Sequence, residues 1–446
     1  MTLALRTPAR SVSDAVATAR AHAPTAGRLP VHERARVLRS AAALVAERRD
    51  ELARLVTTST GKVLKDTRRE VDRVAWTLQL SAAAGEELAG TALPGDRIAA
   101  GTGSVAITLR QPVGLVGAIT PFNAPLNLVA HKVGPAVAAG NACVLKPSPR
   151  CTETGLALVD LLEVAGLPRG VVTVAEGGPE AALQLAGHPE VDLVSFTGGP
   201  TAGEAVRRAA TQTRVVLELG GNSANIVHHD ADVDQAVGAL VRGGFGNQGQ
   251  SCNSVQRLLV HRRIVNELIA KLVAAVAELV VGDPLDPATD VGPVVDEEAA
   301  ARIGGLVDDA LVAGAELACG GRVEGRAVTP TVLTGVRPPA RVLVEEVFGP
   351  VVAVSAYDEL DEAIAAANAT PTALQAAVFT HDLHTAFDAA ARLRAGGVVV
   401  NQSSNFRLDH LPYGGYGESG QGREGPASAV LEMTELKTVL FAGVLG

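Results

Sequence analysis

The sequence predicts an α/β protein that is built on parallel sheets. Short, continuously apolar segments alternate with helical patterns from Val113 onward, which is typical of parallel sheets with helices on both faces. The clearest of these segments are Val113–Ile119, Ala142–Leu145, Val171–Val174 and Leu193–Phe196. A second α/β series begins near Ala224 and runs through Val398–Asn401. Because 446 residues exceed what one hydrophobic core usually serves, we expect roughly two to three domains.

The segments outside these series predict a helical beginning and a small β element. Between residues 34 and 58 apolar and charged residues alternate at helical spacing, Gly61 interrupts the pattern, and residues 63–88 resume it. Residues 104–109 then change to the period-two alternation of an exposed strand. The end of the chain carries another strand-like segment, Thr438–Phe441.

The composition excludes several classes of function. Hydrophobic residues make up 47% and charged residues 20% of the chain, as in ordinary soluble globular proteins. The net charge of −9 argues against a nucleic-acid or anionic-membrane partner, because binding to phosphates needs a basic surface. No uncharged apolar run reaches about 18 residues, so the sequence predicts no transmembrane helix.

The cysteines and histidines indicate neither disulfides nor a metal. The four cysteines, Cys143, Cys151, Cys252 and Cys319, contain no Cys-x-x-Cys pair. Residues 1–23 are polar and lack the apolar stretch of a secretory signal, so we expect reduced thiols and a cytoplasmic protein. None of the ten histidines falls into a metal-ligand spacing with partners, and no metal is predicted.

Two residues indicate covalent catalysis. Cys252 ends the run Asn-Gln-Gly-Gln-Ser-Cys, and Glu218 opens Glu-Leu-Gly-Gly after a short apolar strand. A thiolate attacks an electrophilic carbon, and a carboxylate with a raised pKa activates the water that later releases the acyl group. The simpler interpretations are a buried structural thiol and a surface carboxylate, and we expect the other three cysteines to be structural.

These motifs, in this order, resemble the aldehyde dehydrogenase superfamily over nearly the whole chain. The resemblance implies an NAD(P)-binding Rossmann-like domain at 1–93 and 111–223, and an α/β catalytic domain at 224–418. It also implies a small β oligomerisation element at 94–110 and 430–446, and hence a homodimer or homotetramer. Relatives that pass the acyl group to coenzyme A lack the carboxylate of Glu218, so the resemblance implies hydrolysis of the thioester.

The resemblance assigns a role to Asn123 in Thr-Pro-Phe-Asn-Ala-Pro. On its own this motif is a proline-rich turn that ends a strand. In the family its Asn donates an N–H to the oxyanion beside the backbone N–H of the nucleophile. Asn123 is therefore predicted to be catalytic and to contact the substrate.

The resemblance also implies an NAD or NADP site. Its predicted residues are Thr120, Pro121, Phe122, Lys146, Ser148, Gly198, Gly199, Gly203, Leu219, Gly220, Glu346 and Phe348. Glycines at a strand-to-helix turn suit a pyrophosphate, because they let the backbone approach it. Two positions depart from the family pattern: Gly199-Pro200 replaces Ser-Thr, and Pro149 replaces the Glu of many NAD-preferring relatives. The second departure, with Arg150 beside it, favours tolerance of a 2′-phosphate.

The segment Arg-x-Asp-His-x-Pro-Tyr-Gly-Gly, which begins at Arg407, resembles the branch that handles small polar aldehydes. Those include lactaldehyde, phosphorylated glyceraldehyde and phosphonoacetaldehyde. Arg407, assisted by Arg73, is predicted to bind an anionic group of the substrate, and Ser251 is predicted to contact the substrate. The alternative is that Arg407 pairs with Asp409 or with a neighbouring subunit.

The leading hypothesis is NAD(P)-dependent oxidation of a small, anionic aldehyde through a thiohemiacetal on Cys252. One alternative is a Cys-dependent esterase or amidase, for which the sequence offers no convincing His partner. Another is a catalytically silent scaffold of the same fold, which the presence of Cys252, Glu218, Asn123, Lys146 and Glu346 disfavours.

Overall fold

The structure is a computed structural model that describes residues 11–445. Part of the predicted N-terminal segment, residues 1–10, and residue 446 of the predicted oligomerisation element lie outside the described residues. The helices are α1 (Val12–Arg28), α2 (Val31–Glu47), α3 (Arg49–Thr60), α4 (Leu64–Glu86), α5 (Asn127–Ala139), α6 (Thr152–Val164), α7 (Pro179–Ala186), α8 (Pro200–Ala209), α9 (Val233–Phe245), α10 (Val265–Ala277), α11 (Glu297–Val312), α12 (Leu360–Asn368), α13 (Leu383–Arg392) and α14 (Pro426–Glu432).

Within residues 11–445 the strands form two large sheets and three small ones. They are β1 (Ala92–Pro94), β2 (Val105–Pro112), β3 (Leu115–Ile119), β4 (Ala142–Lys146), β5 (Val172–Val174), β6 (Leu193–Thr197), β7 (Arg214–Glu218), β8 (Ala224–Val227), β9 (Arg257–His261), β10 (Glu316–Cys319), β11 (Val323–Glu324), β12 (Ala327–Val328), β13 (Thr331–Thr334), β14 (Val351–Tyr357), β15 (Thr372–Ala373), β16 (Gln375–Phe379), β17 (Gly397–Val400), β18 (Tyr416–Gly417), β19 (Gly420–Gln421) and β20 (Thr434–Phe441).

The first large sheet has the order β19-β7-β6-β3-β4-β5 and is parallel except for β19. Its strands are apolar on both faces, as predicted. In β3, Val116 and Ala118 join a core with α2, α4, α5 and α6, whereas Leu115 and Ile119 join a core with α1 and α7 on the other face. Helices therefore cover both faces, and the carboxyl ends of the parallel strands form one shared edge, where dinucleotides bind in such sheets.

The second large sheet has the order β10-β13-β14-β9-β8-β16-β17, with β10 as its antiparallel edge. Helices α9 and α10 share a core with one face of this sheet, and α12 and α13 share a core with the other. The predicted α/β class is confirmed. The predicted strand Val113–Ile119 corresponds to β3, which begins at Leu115 because Gly114 adopts φ 122°.

A three-stranded antiparallel sheet joins β1, β2 and β20. The predicted strand at 104–109 corresponds to β2, which continues to Pro112, and the predicted C-terminal strand begins four residues earlier, at Thr434. Leu436 and Leu440 of β20 are exposed. The division into domains and the oligomerisation role of this sheet stay predictions.

The helical beginning follows the predicted break, because Gly61 ends α3 in the left-handed conformation at φ 79°. Across residues 11–445, none of the helices combines the length and apolar character that crossing a bilayer requires.

Candidate active site

A cavity of about 470 Å³ reaches Cys252 from the surface. Its walls come from the loop between α3 and α4, helix α4, the loop after β3 with the start of α5, the end of α9, the loop from α9 to β9, the segment between α10 and α11, and the segment 402–413. Of the predicted catalytic and substrate residues, Asn123, Ser251, Cys252, Arg73 and Arg407 all line this cavity. Residues that are far apart in the sequence are thus brought to one place.

The loop that carries Cys252 has an unusual backbone. Asn247 and Gln248 adopt positive φ angles of 51° and 54°, and Gly249 follows at 67°. Side chains hold this conformation: the backbone N–H of Asn247 donates to Asp66 at 2.9 Å, and Gln248 Nε2 donates to the carbonyl of Gly61 at 3.2 Å. Asn247 and Gln248 thus occupy a left-handed turn that hydrogen bonds hold in place. This turn presents the thiol of Cys252 to the cavity.

The thiol has a tyrosine hydroxyl beside it. Cys252 Sγ lies 3.0 Å from Tyr413 Oη. Burial raises the pKa of Cys252 to about 11, although the hydrogen bond with Tyr413 opposes this rise. The esterase alternative needs an imidazole beside the thiol, and this position is occupied by a phenol. Cys143 and Cys151 are buried, and Cys319 is partly buried outside the cavity walls.

Asn123 lies next to the nucleophile loop. Its side-chain Nδ2 donates to the backbone carbonyl of Gln250 at 3.1 Å, and its backbone carbonyl accepts from Asn247 Nδ2 at 3.0 Å. A carboxamide has two N–H donors, so one remains for an oxyanion at Cys252.

Glu218 ends β7 and is 3% exposed, with both carboxylate oxygens lacking a hydrogen-bond partner. Burial and the negative charge of Glu424 raise the pKa of Glu218 well above its usual range, and the cations Lys132 and Arg407 oppose this rise. Glu218 also acts electrostatically on the thiol of Cys252. A buried, unpaired carboxylate is a strong proton acceptor, and this environment suits a general base.

Sequence reasoning missed a buried ionic network behind these residues. Glu424 accepts from Arg407 at 2.9 Å, and Lys132 Nζ lies 3.7 Å from Glu424. Although burial opposes ionisation, the surrounding cations hold the pKa of Glu424 at about 2. The available signal was Lys132, a charged residue inside the mostly apolar helix α5, where every residue is buried.

The network continues to the predicted substrate residues. Arg73 forms a bidentate pair with Asp409 at 2.9 and 2.7 Å, and His131 Nε2 lies 3.0 Å from the same carboxylate. The guanidinium of Arg407 stacks over the ring of Tyr413 at 3.9 Å. Asp409, the partner that the sequence suggested for Arg407, lies 3.8 Å away, and the closer ion-pair partner is Glu424, which was not predicted.

Ser251 has two amide neighbours. Its Oγ donates to Asn253 Oδ1 at 2.8 Å and accepts from Asn405 Nδ2 at 3.1 Å. The hydroxyl therefore lines the cavity with its hydrogen bonds to the protein already made.

The predicted cofactor residues gather at the carboxyl edge of the first sheet. Thr120, Pro121 and Phe122 follow β3, Lys146 ends β4 with Ser148 just beyond it, and Gly198 and Gly199 lie between β6 and α8. Burial lowers the pKa of Lys146. Within this edge the hydroxyls of Thr120 and Thr197 are buried without a partner.

Two of these glycines let neighbouring side chains approach the backbone closely. A Cβ on Gly203 would lie 2.4 Å from a methyl group of Leu219, and a Cβ on Gly220 would lie 2.1 Å from Glu346 Oε2. Burial raises the pKa of Glu346 to about 7, and Phe348 meets Phe122 edge-on at 6.0 Å between ring centroids. An edge with unpaired hydroxyls and close-packed glycines suits a dinucleotide, so these residues fit NAD or NADP. Arg150 forms an ion pair with Asp296.

The comparisons with known proteins agree with this arrangement. The sequence profile of the aldehyde dehydrogenase family matches residues 3–439, and the chain belongs to this family. It is 43% identical over 411 residues to a 3-sulfolactaldehyde dehydrogenase of Priestia aryabhattai, which covers 92% of this chain and 86% of that protein.

Two solved structures are similar along nearly the whole chain. Aldehyde dehydrogenase 21 from Physcomitrella patens, in complex with the reaction product succinate, has a TM-score of 0.95 and 38% identity, with 97% of this chain and 90% of that chain covered. The glyceraldehyde-3-phosphate dehydrogenase GapN from Methanocaldococcus jannaschii, complexed with NADP, has a TM-score of 0.92 and 36% identity, with 98% and 96% covered. The protein is an NAD(P)-dependent aldehyde dehydrogenase, as the sequence predicted.

Proposed function

We propose that this enzyme oxidises a small aldehyde that carries an anionic group. The observation that supports this proposal is the charge of the cavity at Cys252. Six basic residues line it, against three acidic ones: Lys62, Lys65, Arg69, Arg73, Arg242 and Arg407, with Asp66, Glu70 and Asp290. Five of the basic residues are ion-paired, Arg73 and Arg407 with carboxylates that do not line the cavity, so among the described residues Arg242 carries the surplus positive charge. A positive charge in a concave site attracts an anionic substrate. The named relatives act on, or hold, sulfonated, carboxylated and phosphorylated compounds.

In the proposed reaction the thiolate of Cys252 attacks the aldehyde carbon, and the resulting oxyanion accepts an N–H from Asn123. NAD or NADP supplies the hydride acceptor when it is bound by the residues at the carboxyl edge of the first sheet. Glu218 then removes a proton from water, and the hydroxide attacks the thioester on Cys252. The carboxylate product leaves, and the thiolate is regenerated.

Arg407 has a double role in this proposal. Its ion pair with Glu424 at 2.9 Å positions the buried network, while its side chain also lines the cavity. Arg73 is similarly engaged with Asp409 at 2.7 Å. Arg242, in the last turn of α9, lines the cavity and forms no ion pair within residues 11–445, so its charge is available to a bound anion. We assign it the main share of recognition of the anion.

We further propose a cytoplasmic homo-oligomer in which the three-stranded sheet is the contact surface. The exposed leucines of β20 support this assignment, since an apolar strand face usually has a partner.

The test of the proposed substrate class compares two aldehydes of equal carbon number, succinic semialdehyde and butanal. We expect kcat/KM to favour the anionic aldehyde by about 10-fold or more, the value of one charge-assisted hydrogen bond. The preference should shrink as sodium chloride is added, because salt screens charges at an open site. Equal values for both aldehydes at low salt would contradict the proposal.

A further inference from the structure

A cluster of imidazoles lies away from the active site, in the turn that follows β8. His228, His229 and Asp230 are consecutive, and the N–H of Ala231 donates to the carbonyl of His228 at 3.1 Å, which closes the turn. In a closed turn adjacent side chains no longer alternate between two faces as they do in a strand, so they can converge.

The convergence corrects the expectation that no histidine has metal-ligand partners. One ligand atom from each of His228, His229 and Asp230 lies within 4.8 Å of the others. The two imidazole rings are 4.3 Å apart between centroids, and the ring of His261 packs 5.0 Å from that of His229. The prediction considered spacing along the chain and overlooked three neighbours on one tight turn.

The surroundings orient the imidazole of His228 toward a ligand. Its Nδ1 lies 3.0 Å from Tyr357 Oη, and that hydroxyl donates to the carbonyl of Val227 at 3.4 Å. The hydrogen bond with Tyr357 engages Nδ1, and Nε2 is therefore the ring nitrogen of His228 that is available to a ligand. A hydrogen bond of this kind on the remote ring nitrogen is usual for a histidine that binds a metal.

The carboxylate of Asp230 is fixed by the segment after β16. Its Oδ2 accepts from Thr380 Oγ1 and from the backbone N–H groups of His381 and Asp382, each at 2.9 Å. The same Thr380 hydroxyl lies 2.9 Å from Oδ1, and because its single hydrogen is shared between the two oxygens, Oδ1 keeps a lone pair for a ligand. Two of the three ligands are thus held in place before a metal arrives, and the exposed third, His229, has a ring that can rotate toward them.

We propose that His228, His229 and Asp230 bind a divalent transition-metal ion such as Zn²⁺, with water completing the coordination. Two imidazoles and one carboxylate suit Zn²⁺ and its neighbours better than Mg²⁺ or Ca²⁺, which prefer oxygen ligands. Ligands of one zinc ion lie within roughly 4 Å of one another, so a small rotation closes the site. His261 packs beside the site and is not assigned as a ligand, because its Nδ1 already accepts from the backbone N–H of Arg263 at 3.2 Å.

This site is separate from the reaction. Cys252 precedes the amino end of β9, whereas His261 ends that strand, so the cluster lies at the opposite edge of the second sheet. A metal there would stabilise the fold, because it binds the native turn in preference to the unfolded chain.

The experiment titrates zinc chloride into tag-free full-length protein by calorimetry. Every sample carries Cys252→Ala, so that the active-site thiol cannot bind the metal. We expect about one zinc ion per chain and a rise in Tm with zinc. Adding His229→Ala, at an exposed position, should abolish both effects. Adding Tyr357→Phe should weaken binding about 10- to 100-fold, as loss of an orienting hydrogen bond usually does.

The matched control is His32→Ala, which removes a histidine with 77% of its side chain exposed on α2 and should leave zinc binding unchanged. Absence of saturable binding in the parent, equal affinity in the His229→Ala protein, or loss of binding in the His32→Ala control would each overturn the proposal.

Discussion

Replacement of Arg242 by Gln tests how the enzyme recognises its substrate. Arg242 lines the cavity at Cys252 and is exposed. By contrast, Arg407 is buried against Glu424 at 2.9 Å, and its removal would leave that buried carboxylate with only the more distant Lys132, at 3.7 Å, as an ion-pair partner among the described residues. Breaking such a pair costs about 3–5 kcal/mol, which would lower stability and activity for every aldehyde. Arg242→Gln removes a charge without that complication.

The expected magnitude follows from the exposure of Arg242. A hydrogen bond between charged groups is worth about 1.5–3 kcal/mol, equivalent to roughly 10- to 150-fold in kcat/KM. Because the guanidinium is open to water and screened by salt, we expect the lower end, about 10-fold, for succinic semialdehyde. Butanal has no anionic group, so its kcat/KM should change less than about 2-fold.

The assay follows reduced cofactor at 340 nm with both aldehydes, at low and high ionic strength. Arg69→Gln is the matched control, because Arg69 lines the same cavity but already pairs with Asp66 at 3.2 Å. It should affect the anionic aldehyde less than Arg242→Gln does. An equal loss for both aldehydes in Arg242→Gln, or no loss for either, would refute the assignment of Arg242.

Three further predictions concern the chemistry. Cys252→Ala should abolish aldehyde oxidation while cofactor binding and Tm stay near wild type, and NAD reduction at a wild-type rate would exclude the thiol mechanism. Since Glu218 must be deprotonated to accept a proton, and burial raises its pKa, kcat should fall on acidification well above the range of an ordinary glutamate; a flat profile down to pH 5 would contradict this role. NADP should be accepted, because Pro149 leaves no carboxylate to repel a 2′-phosphate, and a kcat/KM a thousandfold below that for NAD would defeat this reasoning.

The parts that were predictable from sequence are those encoded locally. Continuously apolar strands predicted parallel sheets, and the glycine-flanked Glu218 and the amide-rich run before Cys252 marked a reactive site. Each signal spans fewer than about ten residues, over which periodicity and turn chemistry operate.

The parts that were not predictable depend on contacts between distant segments. Lys132 and Glu424 are neighbours in the structure although 292 positions separate them in the sequence, and Tyr413 and Cys252 are neighbours although 161 positions separate them. No local sequence pattern predicts such pairs, because the burial of a charged side chain depends on the whole fold. The same limit applies to Arg407, whose predicted contact with substrate is accompanied by an ion pair with Glu424 that only the assembled site reveals.

In the proposed reaction an acyl group forms on Cys252, and Glu218 is needed to release it. The most direct measurement is mass spectrometry of the Glu218→Gln protein after brief incubation with succinic semialdehyde and NAD or NADP, with Cys252→Ala as control. We expect a first-turnover burst of reduced cofactor and an acyl adduct on the peptide that contains Cys252. An unmodified Cys252, with burst and steady turnover lost together, would contradict it.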